Sequence, residues 1–290
     1  MTWQLFSLLY LILGTATYLL QRRLAQTLAQ HKRLVSGFFF LVVHYPVGLA
    51  VAAFSSPSLS IGWQNALLLL VGSCMFPAIN LIALRASKDI DAGSYSILSN
   101  LTPIITIVSA YLLLNERLTH AQLLGAAITI LSAFLITLPS LRGRSKNRNS
   151  GLVFALGGIF LLGLATVYER WMLTRVGLGA YLIFGWGAQS LWMALIAWPE
   201  RKHFKVLRAD KNFVTILSYS LAGSLKGVCF IAALKLGNAS LVAAFTSFIA
   251  IMVVPAAYFI LRERQWLKLK ISASAAGTLG LIILNTGWIK

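Results

Sequence analysis

The chain has 290 residues, of which 58% are hydrophobic and 11% charged, with a formal net charge of +18. A soluble domain is nearer a quarter charged, so this composition excludes an ordinary soluble enzyme or binding module. The basic excess alone would suggest nucleic acid, but its distribution gives another answer.

Runs of about twenty apolar residues can cross a hydrocarbon core about 30 Å thick. Such runs recur at 3–20, 36–54, 64–84, 92–114, 120–138, 151–170, 180–198, 213–234, 239–261 and 268–287. The expected fold class is an all-α membrane protein with ten transmembrane helices. The connections are too short to form a core of their own. The first run precedes "QRRLAQ" (Gln21 to Gln26) and has no small-residue cleavage site, so it reads as a retained helix. Cys74 and Cys229 both fall inside runs and read as small hydrophobes rather than as a disulfide or metal pair. No cofactor or metal is expected.

Nineteen of the 25 Lys and Arg residues fall in the first, third, fifth, seventh and ninth connections. Five lie in the other connections and the termini, and Lys226 remains inside a run. By the positive-inside rule the basic face is cytoplasmic, which puts both termini outside a bacterial plasma membrane. The clusters "RGRSKNR" (Arg142 to Arg148) and "RKHFKVLRADK" (Arg201 to Lys211) then face anionic lipid head groups. Neither interleaves aromatic residues on a folded platform, so no nucleic-acid partner is expected. The expected partners are a small-molecule substrate and the bilayer; a homodimer is left open.

A shift of 147 residues superimposes Ala86, Lys88, Ala92, Ile104, Ala110, Tyr111, Leu114, Glu116 and Arg117 on identical residues at 233, 235, 239, 251, 257, 258, 261, 263 and 264. The chain therefore reads as a duplication: a first repeat at 1–140, a basic linker at 141–150 and a second repeat at 151–290. Five runs per repeat is an odd number, so the second repeat lies inverted relative to the first. Secondary transporters use that arrangement to place a substrate site between their halves.

The stretch "ASKDIDAGSYSILSNLTPIITIVSAYLLLNERLTHAQLLGAAI" (Ala86 to Ile128) resembles the end of the EamA-type repeat of the drug/metabolite transporter superfamily. The resemblance rests on Asn100 and Pro103, then Leu114, Glu116, Arg117, Leu118 and Thr119, then Gly125 and Ala126. The second copy keeps Leu261, Glu263 and Arg264 but has Ser247 and Ala250 in place of Asn100 and Pro103. The resemblance implies a ten-helix carrier of small organic metabolites, often amino acids moved outward. It also implies cytoplasmic termini, whereas the charge count favours termini outside, and the charge count is followed here.

Candidate pathway residues are polar groups within runs. Lys226 lies about eight residues, or roughly 12 Å, from the nearer end of its run, beyond comfortable snorkelling reach. Its neighbours three and four residues away are Ala222, Gly223, Cys229 and Phe230, small enough on one side to turn it toward other helices. It is either a structural lysine or a cation awaiting a substrate carboxylate or phosphate.

Ser99, Thr102, Thr106 and Ser109 form one helical stripe, with Asn100 and Pro103 beside it. These hydroxyls either line a pathway or bond their own backbone. The corresponding stripe in the second copy begins at Thr246, next to Ser247, and is largely apolar. His44 beside Pro46 either carries a proton or is a structural histidine, and Asn80 either lines a cavity or bonds across helices. Trp186, Gln189 and Trp192 share the seventh run.

Asp89, Asp91, Glu116, Glu200, Asp210 and Glu263 fall in or beside loops, and Glu169 is expected near a run end. A central positive charge without acids disfavours cationic drugs and suits an anionic or zwitterionic metabolite. Glu116-Arg117 and Glu263-Arg264 read as local caps and anchors. No H-E-x-x-H, Walker loop or diphosphate motif is present, so an enzyme is not expected. The expected function is a secondary transporter, with export favoured. The alternative is a non-transporting receptor or structural membrane protein.

Overall fold

The computed structural model describes residues 3–55, 60–114, 120–142, 146–203, 213–237, 248–263 and 265–286, together with Leu207, Val242, Phe245 and Thr246. Among the described residues every regular element is helical. Five helical stretches there are long and apolar enough to cross a membrane: Trp3–Thr27, Lys32–Ala53, Trp63–Asp89, Ser150–His203 and Phe213–Leu236. Their outward faces are apolar, with Phe259, Val214, Val153 and Leu112 each about 70% exposed or more. In lipid such a face needs no partner.

Helix α1 is Trp3–Thr27 and α2 is Lys32–Ala53; within α2, Phe38–His44 is wound as a π turn. Helix α3 is Trp63–Asp89, with a tight turn at Ser73–Cys74 ahead of Pro77. Helix α4 is made of Ala92–Leu98, a 3-10 turn Ser99–Leu101 and Thr102–Leu114. Pro103 causes that break, because it offers no N–H to the carbonyl of Ser99 and its ring crowds the preceding turn.

Helix α5 is His120–Arg142. Helix α6, Lys146–Ala180, starts inside the stretch read as a linker and is interrupted at Gly177, whose φ of 77° only glycine adopts without strain. The break divides the 54-residue stretch Ser150–His203 into two lengths that can each cross a membrane. Helix α7 follows with a second π turn, Tyr181–Gly185, then Trp186–Ala197. Helices α8, α9 and α10 are Phe213–Leu236, Ile249–Ile260 and Leu267–Thr286.

The main pairings are α1 with α8, α3 with α6, and α5 with α10. Each of these joins an element before residue 143 to one after it, so the core lies between the two parts of the chain. Glycines allow the close approaches. A Cβ on Gly14 would stand 2.4 Å from Ile249 Cδ1, one on Gly223 2.6 Å from Phe39, and one on Gly48 2.5 Å from Trp186. With little hydrophobic drive between helices in lipid, such small-residue contacts supply the packing.

Two arginines hold the ends of third helices. Arg22 of α1 donates to the carbonyls of Ser87 and Lys88 at the end of α3. Arg170 of α6 donates to the carbonyls of Leu234 and Lys235 at the end of α8. The acceptors are 147 residues apart and the donors 148 apart, and the two caps are alike. In each, a guanidinium satisfies carbonyls that a helix end leaves without partners.

Candidate functional site

A cavity of about 220 Å³ lies between α1, α2, α3, α4, α6, α7, α8 and α9. It gathers Lys226, Asn80, His44, Ser99, Thr102, Trp186, Gln189 and Thr246 from positions scattered over 202 residues of sequence. Lys226 enters from α8 over the face of Tyr10, with Nζ 5.5 Å from the ring centroid. Gly223 and Phe230, its neighbours on the same helix face, also line the cavity. Among the described residues no ion pair includes Lys226.

His44 stacks on Trp186, with ring centroids 3.5 Å apart and planes 19° apart. The π turn that ends at His44 and the one just before Trp186 bring these rings to one level. His44 Nδ1, Thr102 Oγ1 and Gln189 Nε2 are buried and make no hydrogen bond among the described residues, so the cavity wall offers polar atoms to an occupant. Asn80 does both things its position allowed. It lines the cavity, accepts from Ser36 Oγ at 2.7 Å and donates to Tyr219 Oη at 3.0 Å, which ties α3 to α2 and α8.

Two expected residues lie elsewhere. Asn100 is fully buried beside Ser132 of α5 and Gly277 of α10, away from the cavity. Thr106 donates to the Gly163 carbonyl at 3.4 Å and holds α4 against α6. The stripe from Ser99 to Ser109 is therefore not one face: the 3-10 turn at Ser99–Leu101 aims Ser99 and Thr102 at the cavity, and the helix beyond aims Thr106 at α6. Ser247 lies outside the described residues, as do Glu116, Arg117 and Arg264. Trp192 points outward and donates to the Leu70 carbonyl at 2.7 Å.

Sequence reasoning misplaced Glu169. It stands inside the cavity, 5% exposed, where it accepts from Tyr181 Oη at 3.0 Å. Helix α6 runs past the apolar run as far as Gly177, so Glu169 is not at a helix end. Lys226 is thus not the sole ionisable group in the bundle interior. Gln21 is also a wall residue, donating to Ser87 Oγ at 2.6 Å. Gln21-Arg22 and Glu169-Arg170 match at the same 148-residue offset, the signal that could have found both.

Glu263 likewise has a longer reach than a local cap. It accepts from the N–H groups of Ala92 and Gly93 at the start of α4, at 3.2 and 3.4 Å, and pairs with Arg22 at 3.4 Å. Beside it Lys270 of α10, 2% exposed, meets Asp91 at 2.8 Å. Burial pushes the Asp91 carboxyl up, but Lys270 and the Ser94 donors outweigh it and hold the group below the usual carboxylate range. Both ion pairs join an early element to a late one at the basic face.

Fold and cavity define a multi-pass helical membrane protein with a polar, charged interior. Residues 1–138 match the model of the EamA-like transporter family. A solved structure described only as "Crystal structure of protein" is similar at 16% identity and a TM-score of 0.61, over 95% of this chain and 96% of that one. That likeness is one of fold. No curated protein matches the sequence.

Proposed function

We propose that the protein is a secondary transporter of small organic metabolites of amino-acid-like, anionic or zwitterionic kind, which it exports by alternating access. Lys226 carries this reading. A cation sits in a cavity walled by both parts of the chain, with no protein carboxylate paired to it among the described residues. A substrate carboxylate compensates it when bound, and water does so when the cavity is empty.

Alternating access needs two equivalent halves. Support for halves at 1–140 and 151–290, joined at 141–150, comes from the paired arginine caps and from the matched packing of α1 on α8 and α3 on α6. In this arrangement the ion pairs Arg22–Glu263 and Asp91–Lys270 clasp the halves at the basic face and part when that face opens. The membrane is a bacterial plasma membrane with that face cytoplasmic. A reporter fused after Lys290 is expected to be active only outside; activity only in the cytoplasm would reverse the orientation.

The direct test compares intracellular and medium metabolite pools with and without the protein, then measures flux of the hits in proteoliposomes. Selective movement of carboxylate-bearing metabolites is the expected result. Absence of any flux would leave a receptor or structural membrane protein, and selective movement of monocations would contradict the role of Lys226.

A further inference from the structure

The interior holds one basic and one acidic side chain, and among the described residues they are not paired with each other. Lys226 and Glu169 line the same cavity, one from α8 and one from α6, and among the described residues neither belongs to an ion pair. Tyr10 lines the cavity with them. Its ring lies 5.5 Å from Lys226 Nζ.

Glu169 is held rather than loose. Tyr181, fully buried at the second π turn, donates to Oε1 at 3.0 Å, and no hydrogen bond to Oε2 is made among the described residues. Arg170, the next residue, is occupied at the end of α8 by the carbonyls of Leu234 and Lys235, so it does not turn back to neutralise Glu169. Among the described residues no cation forms an ion pair with Glu169, and its hydrogen-bond partner is Tyr181. His44 lies on the Trp186 side of the cavity.

We infer that Glu169 is the second pole of the cavity: the transported compound is dipolar, its carboxylate on Lys226 and its ammonium on Glu169. This rests on the transporter reading above and narrows it. A simple anion satisfies Lys226 but leaves Glu169 buried without a partner, and a simple cation does the reverse. A compound that carries both groups gives each side chain a partner of opposite kind. Buried charges left unpaired reject the analogue that lacks the complementary group far more strongly than an apolar wall rejects a misfit. Phosphate esters and dicarboxylates are selected against on the same ground.

The test uses the full-length protein in proteoliposomes and matched triads of probes: an amino acid such as leucine, the carboxylate lacking its ammonium (4-methylpentanoate), and the amine lacking its carboxylate (3-methylbutylamine). Further triads are built on each of the common amino acids. The parent protein is expected to carry at least one amino acid tenfold or more faster than either partner of its triad. Glu169→Gln is expected to erase that preference over the carboxylate while still moving the carboxylate. Lys226→Met is expected to lose both.

Glu169→Asp keeps the charge one methylene further back and is expected to weaken the preference without abolishing it. Because it retains a carboxyl in the cavity, it keeps the test decisive where the glutamine variant fails to fold. Equal flux of amino acid and carboxylate in the parent overturns the assignment while leaving a transporter. So does a Glu169→Gln variant that keeps its preference and changes only the pH dependence of flux. No flux of any probe or screened metabolite overturns the transporter reading itself.

Discussion

Lys226→Met is expected to accumulate and insert at least as well as the parent and to lose transport by tenfold or more. Methionine has similar length and flexibility, so it fills the space beside Tyr10 and Gly14 that the lysine stem occupies. It also removes an insertion cost of about 2.5–3.5 kcal/mol for a lysine at the centre of a span. What it takes away is a charge-assisted contact with the substrate. Such contacts contribute about 1.5–3 kcal/mol, which corresponds to roughly ten- to hundredfold in binding. Flux in proteoliposomes, normalised to the protein recovered as a single gel-filtration peak, is the measurement. Full flux from a well-folded Lys226→Met protein removes the lysine from the pathway.

Arg22→Ala is expected to produce the largest loss of stability among single substitutions at the basic face, about 3 kcal/mol. It strips the cation from Glu263 and the donors from the Ser87 and Lys88 carbonyls together. Breaking a buried pair from one side costs about 3–5 kcal/mol. The lower end applies because the two side chains keep 15% and 12% of their exposure and water screens them in part.

The loss should also depend on pH. Burial pushes the Glu263 carboxyl up, Asp91 adds to that, and Ala92 N–H, Lys270 and Arg22 pull it back. Without Arg22 the group rises further above its unfolded value. A carboxyl raised on folding favours the folded state while protonated, and that contribution is lost as pH rises through the folded value. Melting in detergent should therefore show the Arg22→Ala deficit widening from acid toward neutral pH. Asp91, held low by Lys270, behaves in the opposite sense: its contribution is present above its unfolded value and fades as pH falls through the folded one. A deficit that does not change with pH would show that Arg22 acts through the α3 carbonyls alone.

The five long apolar helical stretches were legible because lipid enforces an apolar exterior, and hydropathy measures that exterior directly. Lys226 was legible for a related reason, since a central cation flanked by alanine and glycine has nowhere favourable to point except inward. The misreadings come from helices that are not uniform. Periodicity treats residues 99–109 as one continuous helix, but Pro103 forces a 3-10 turn, and beyond it Thr106 faces α6 rather than the cavity. Hydropathy ends a span at the first polar cluster, so "YERW" reads as a helix end; backbone geometry ends α6 only at Gly177. Glu169 falls in the gap between those two criteria. Asn100, fully buried against α5 and α10, belongs to a helix seam that no single-helix pattern can reveal.

The π turn at Phe38–His44 has one further consequence. A π turn holds one residue more than the α-helical turn it replaces, and one residue is about 100° of rotation. Everything in α2 before Phe38 is therefore turned by that angle relative to an uninterrupted helix ending at the same Tyr45. Ser36 meets Asn80 only because of this offset. Deleting any one residue of 38–44 would leave the composition nearly unchanged and the helix intact, yet would swing Ser36 away from α3. The phase of the screw, as much as the identity of its residues, is what this helix contributes to the wall.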